Sequence, residues 1–121
     1  WMKYEKLHEL YQQMHFLLIA RAVCQRTLAN FPSKVPETMT HGIVPIVSEV
    51  GDYTEYYLRD GKDSIFIKGD SVEETMRAIR KAIGMNMEEY ERYSKKAYQT
   101  AWERFDYHRW IQQIKEMLET V

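Results

Sequence analysis

Three short apolar runs constrain this chain most: HFLLIA at 15–20, IVPIVS at 43–48 and SIFI at 64–67. Each is too short for a core helix and reads as a buried strand. Sequence with helical periodicity separates them. Strands joined through helices cannot form hairpins and pair in parallel through right-handed crossovers. The expected fold class is therefore α/β, with a short parallel sheet of about three strands and a helical C-terminus. Three strands are few for such a sheet. The pattern also opens on a helix, as though earlier βα units had been cut away.

Periodicity and caps delimit the helices. Residues 3–14, KYEKLHELYQQM, place Tyr4, Leu7, Leu10, Tyr11 and Met14 on one face. Ser33 is the expected N-cap of a helix from Lys34 to His41, with Pro36 tolerated in its first turn and Gly42 placed to end it. Asp52 and Glu55 have capping-box spacing for a short helix over DYTEYYLR, as do Ser71 with Glu74 and Asn86 with Glu89 for the next two. The helix after Ser71 is expected to bury Val72, Met76, Ile79 and Ile83 and to end at Gly84. The helix after Asn86 should carry Tyr90, Ser94, Ala97 and Ala101 on one face. A last helix, capped by Asp106, is expected to bury Trp110, Ile114, Met117 and Leu118. Pro45 within IVPIVS argues for a strand start or an edge position, since proline has no N–H for a ladder. DGKD at 60–63 reads as a turn.

The 121 residues suffice for one domain, and 45% hydrophobic content with 13% aromatics can fill a core. A formal net charge of -1 carries no polyelectrolyte signal, so nucleic acid is not an expected partner. A single cysteine, Cys24, excludes an internal disulfide and fits a reducing compartment. The longest apolar run is far too short to cross a bilayer, and residues 1–14 are polar and charged, unlike a secretion signal. A cytoplasmic location follows as the expectation. The chain opens Trp1-Met2-Lys3, which fits an excised piece, and processing or tag residues would look the same.

Several chemistries lack their residues. Cys24 and the histidines His8, His15, His41 and His108 show no zinc spacing, so no metal is expected. There is no G-x-S-x-G elbow and no Walker A loop. Cys24 has no identifiable partner for nucleophilic work and reads as a packed or inert thiol. Tyr90, Tyr93 and Tyr98 read as helix packing, and the charges among residues 88–104 as a solvated helix face.

The segment ANFPSKVPETMTHG, residues 29–42, is different. It lies beyond the carboxyl end of the first strand, where open α/β sheets bind ligands. It then enters a helix start, where unpaired N–H groups and the helix dipole favour phosphate. Ser33 adds a hydroxyl donor and Lys34 a positive charge. Glu37 lies one turn further in, and its carboxylate can hold a pair of sugar hydroxyls. Phosphate at the helix start with a diol beside Glu37 describes a nucleoside diphosphate. A plain capped helix start, with Lys34 solvated and Glu37 favoured by the dipole, accounts for the same residues.

From Ala29 to Ile67 the sequence resembles the C-terminal part of group 1 glycosyltransferases, the retaining, two-Rossmann-domain (GT-B) type. Their pattern runs roughly E-G-F-x-x-x-x-x-E-A-M-A-x-G-x-P-V-I, then a V-G-G-x-x-E-like stretch, then D-G-x-x-G and an apolar strand. Phe31 matches the phenylalanine, Glu37-Thr-Met-Thr-His-Gly42 the E-A-M-A-x-G segment and Val44-Pro-Ile-Val47 the following strand. Val50-Gly51-Asp52 with Glu55, and then Asp60-Gly61, match the later blocks. ERFDYHRWIQQI resembles the closing F-S-W-type helix, so the likeness covers residues 3–118 in order.

The resemblance implies a Rossmann-like three-layer domain with a truncated sheet. Residues 1–121 would be a single partial domain, the C-terminal portion of the donor-binding domain, with helices over 85–121. It implies a nucleotide-diphosphate sugar as donor, transfer with retention to a glycan or lipid-linked acceptor, and no cofactor or metal. Donor-binding residues would be Phe31, Pro32, Ser33, Lys34, Val35 and Glu37. Glu37 would be the second glutamate of the E-x7-E motif, on the ribose hydroxyls, and the amides around Pro32 to Val35 would face the diphosphate. The first glutamate would fall on Ala29. The loop Phe31-Pro-Ser-Lys34 looks like the family's F-P-[ST]-K variants, in which Lys34 takes part of the donor contact.

The catalytic residues and the acceptor side would lie upstream, and the isolated piece is expected to be inactive. Arg21 and Arg26 read as solvated loop arginines rather than the family's diphosphate pair. Cut strands would leave an open edge and self-association of the piece, and the full-length protein would touch the cytoplasmic membrane peripherally. The other reading of the same residues is a non-catalytic α/β interaction module with a degenerate nucleotide-sugar site.

Overall fold

The three apolar runs are strands. In the computed structural model, which describes residues 1–121, β1 (Phe16–Ile19), β2 (Val44–Ser48) and β3 (Ile65–Ile67) form one parallel sheet in the order β1-β2-β3. Phe16 pairs with Val44 and Ile46 with Ile65, which sets the register. Around the sheet lie α1 (Tyr4–Tyr11), α2 (Gln25–Leu28), α3 (Lys34–Met39), α4 (Val72–Ile83), α5 (Met87–Thr100) and α6 (Ile111–Glu119). A π-helical turn at Tyr53–Tyr57 follows β2, and a second at Ala101–Phe105 extends α5.

Alternation along each strand sends side chains to two faces, and each face has its own core. Leu17, Ile19, Val47 and Phe66 meet Val35 and Met39 of α3 and Ala97 of α5, with Ala101 beyond it. Phe16, Val44, Ile46, Ile65 and Ile67 meet Ala78 and Ala82 of α4 and Tyr93 of α5. Two covered faces make the fold three-layered and Rossmann-like, as expected from the alternation. Leu18, on the face that α4 covers, remains 46% exposed.

Of the two positions expected for Pro45, the edge is excluded, because β2 is the central strand, and the strand start is found: Pro45 is the second residue of β2. The N–H of Val44 donates to the His15 carbonyl on the β1 side. The Pro45 nitrogen therefore faces the β3 side, where the ladder begins only at Ile46. No ladder hydrogen bond is lost, and the proline is tolerated.

Four helix expectations also change. Ser33 has helical backbone angles and its side chain makes no cap bond; the first closing bond runs instead from the Val35 N–H to the Pro32 carbonyl at 3.0 Å. Asp52 likewise caps nothing, and DYTEYYLR forms the π-helical turn. On α4 the small residues Ala78 and Ala82 face the sheet, because they allow close helix–sheet approach, while Val72, Met76 and Ile83 point outward and Ile79 is half-buried. Asp106 caps a 3₁₀ turn, Tyr107–Arg109, ahead of α6. Trp110, at the N-cap of α6, and Ile114, Met117 and Leu118 along it are exposed, not buried, because the helix packs mainly on that turn.

Gly42 behaves as expected of a helix terminator, at φ 72°. A Cβ there would lie 2.7 Å from Ser94 Oγ, the hydroxyl that donates to the Gly42 carbonyl. Gly42→Ala should cost about 2 kcal/mol, from the left-handed backbone and the displaced hydroxyl. Urea unfolding would show it as a lower midpoint at unchanged slope.

Candidate functional site

The loops that leave β1 and β2 at their carboxyl ends are tied to each other. The Arg21 N–H donates to Ser48 Oγ at 2.7 Å, and the Arg21 guanidinium donates to Asn30 Oδ1 at 2.8 Å. Gly51, at φ 79°, sits where a Cβ would come within 3.1 Å of the Thr27 and Leu28 carbonyls. Arg21 is thus a half-buried connector rather than a solvated arginine, whereas Arg26 is exposed. Cys24 is exposed rather than packed, at the start of α2. A hydrogen bond from Thr27 lowers its thiol pKa.

The expected donor residues divide by what each can present. The Phe31 ring packs edge-on against Tyr53, Tyr57 and Phe105 at 5.6–6.0 Å between centroids, and keeps one side exposed. Pro32 is buried and Val35 belongs to the core, so their side chains anchor the loop. Pro32 has no N–H, and the Val35 N–H is bonded to Pro32. The N–H groups of Ser33 and Lys34 have no partner in the chain and remain free for a ligand. Ala29 is exposed at the end of α2.

Glu37 is the most organised of these residues. Its Oε1 accepts from the Tyr11 hydroxyl and its Oε2 from Lys34 Nζ, both at 3.0 Å. Burial opposes its ionisation, but the hydrogen bonds from Lys34 and Tyr11, with the Lys34 charge, outweigh that and hold its pKa below the ordinary value. The same contacts act in reverse on their donors. Burial and then the Glu37 hydrogen bond raise the Tyr11 phenol, and the Glu37 hydrogen bond raises Lys34. Glu37 also borders a groove of about 420 Å³ whose far wall carries Trp102, Phe105 and Tyr107.

The lowered pKa has a signed consequence. The stabilisation from ionised Glu37 is fully present above the ordinary carboxyl value of 4.5 and is lost as pH falls through the lowered folded-state value. Thermal unfolding across acid pH should therefore place the wild type above Glu37→Gln at neutral pH, with the two converging in acid.

Tyr11 was visible in the sequence only as one position on an apolar helix face. Of that face it alone is buried, and nothing in the local pattern marks its hydroxyl as a partner for a carboxylate 26 residues away. No three His, Cys, Asp or Glu side chains gather closely enough to ligate a metal ion. No helix is long and apolar enough to cross a membrane.

No curated protein matches the chain significantly. Residues 1–100 match the family described as "Glycosyl transferases group 1". That stretch includes the whole sheet, α1 through α5 and every expected donor residue, and it stops before the groove residues Trp102, Phe105 and Tyr107 and before α6. The chain belongs to the group 1 glycosyltransferases, and glycosyl transfer is its reaction class.

Proposed function

We propose that this chain is the C-terminal part of the donor-binding half of a retaining glycosyltransferase that uses a nucleotide-diphosphate sugar. The supporting observation is Glu37: an ionised carboxylate one turn into α3, close to the free N–H groups of Ser33 and Lys34. Glu37 would take the ribose diol, and the two amides would take the diphosphate. Lys34, 57% exposed, would exchange its ion pair with Glu37 for a phosphate oxygen when the donor binds. The leaving diphosphate is then stabilised by fixed N–H dipoles and one cation as its charge develops. The acceptor, a glycan or a lipid-linked glycan, would dock on an upstream domain, and no metal takes part in this scheme. Phe31, Pro32 and Val35 hold the loop in shape.

Calorimetric binding of UDP- or GDP-sugars to the full-length protein tests the donor. NMR assignment of the product's anomeric configuration tests retention, and inversion would sink that part. One observation favours a second reading, a non-catalytic module. Ala29 stands exposed where the family's sugar-contacting glutamate would be, and it offers no hydrogen bond. Absence of binding to either donor class, with Glu37→Ala without effect, would select that reading.

On this reading, which places the acceptor side upstream, the isolated 121-residue chain should show no transfer. It should also self-associate, because Leu18 and the apolar side of α6 are uncovered. A strictly monomeric species in light scattering at high concentration would refute the second expectation.

A further inference from the structure

We infer that Tyr11 is a positioning residue: its hydroxyl orients the Glu37 carboxylate so that one lone pair on each oxygen faces a 2′,3′-diol, which makes the site selective for ribose over 2′-deoxyribose. This rests on the reading of Glu37 as the ribose contact. An ionised carboxylate has about four acceptor positions, two per oxygen. Tyr11 takes one on Oε1 and Lys34 takes one on Oε2. What is left is one on each oxygen, the pair that two adjacent hydroxyls need.

The two holders are not equivalent. Lys34 is exposed, flexible and drawn toward the diphosphate once the donor arrives. Tyr11 is 5% exposed, and its ring is wedged against His41 at 5.1 Å between centroids. Its hydroxyl has no acceptor other than Glu37, and this is the one side-chain hydrogen bond that joins α1 to a residue beyond the adjacent Gln13. With Lys34 engaged elsewhere, Tyr11 remains the fixed constraint on the carboxylate. A merely structural tyrosine would act through its ring; a positioning one acts through its oxygen.

Tyr11→Phe removes that oxygen and keeps the ring. The test compares UDP and GDP with their 2′-deoxy counterparts on the full-length protein. Wild type should prefer the ribonucleotide by about tenfold, the scale of one hydrogen bond to a charged group. Tyr11→Phe should bring that preference to within about threefold while deoxynucleotide binding changes less than about twofold, with the acid limb of ribonucleotide binding moved to higher pH. In a double-mutant cycle, Tyr11→Phe should add nothing to discrimination once Glu37 is glutamine. Replacing Tyr11 with 2,3-difluorotyrosine, a stronger donor of the same shape, should hold or raise the preference. A full preference in Tyr11→Phe, equal loss of both nucleotides, or a reduced preference with difluorotyrosine would overturn the inference. A wild type that does not discriminate would instead overturn the reading of Glu37 as the ribose contact.

Discussion

Glu37→Ala should weaken binding of the nucleotide-sugar donor to the full-length protein by about a hundredfold, at two hydroxyl contacts of roughly 1.4 kcal/mol each. The same variant should lower folding stability only modestly, by the pH-dependent increment that ionised Glu37 contributes, because Lys34 is 57% exposed and the pair is screened. That separation is the useful part of the result, because a folded protein with a lost donor site assigns Glu37 to binding. The substitution also frees Lys34 to meet the diphosphate, so pyrophosphate alone should bind as well as before or slightly better. Calorimetry with the donor and with pyrophosphate reads both quantities. A drop of less than threefold for the donor would mean that Glu37 does not hold the ribose.

The largest expected loss of stability lies elsewhere, at Asp63. This carboxylate is 1% exposed and collects three donors: the Arg59 N–H at 2.8 Å, Ser64 Oγ at 2.9 Å and Thr100 Oγ1 at 2.8 Å. It thereby fastens the turn before β3 to the end of α5 across 37 residues of sequence. Asp63→Ala leaves those donors in the interior without an acceptor, at a cost of about 3 kcal/mol, a large share of a small domain's stability. Asp63→Asn keeps one oxygen for Arg59 and Ser64 and turns its amide toward Thr100, whose hydroxyl can rotate to accept. It should cost about 1 kcal/mol. Urea melts separate the two, and near-equal midpoints would show that the network contributes little.

Asp63 also shows where sequence reading stops. DGKD is a turn by composition and a turn in the structure, and nothing local says that its last carboxylate is buried. The strands were legible because short apolar runs between helices leave few alternatives, and the burial of Ala97 and Ala101 followed from helical spacing. Glu37 could be singled out as a candidate because a short polar motif followed a strand end, but its bonds to Tyr11 and Lys34 had no signal of their own. Tyr11 was not, since its meaning depends on which helix face α3 meets. The Val72, Met76 and Ile83 stripe misled for the opposite reason. Periodicity reports which side of a helix is apolar, but small residues decided which side approached the sheet. The crowded loop was read as a cradle of amides from Pro32 to Val35. In the structure the tight turn uses the Val35 amide internally and leaves two.

The exposed α6 bears on how this protein would be monitored in solution. Its nine residues fall short of the roughly 12–15 that a helix needs to persist unaided in water. Its apolar side finds no cover within the chain. The helicity of this segment is therefore conditional on contact with something else and works as a gauge of assembly. Far-ultraviolet circular dichroism should lose this increment on dilution and recover it when the segment is covered. Amide exchange over residues 111–119 should follow the same occupancy, independently of the sheet.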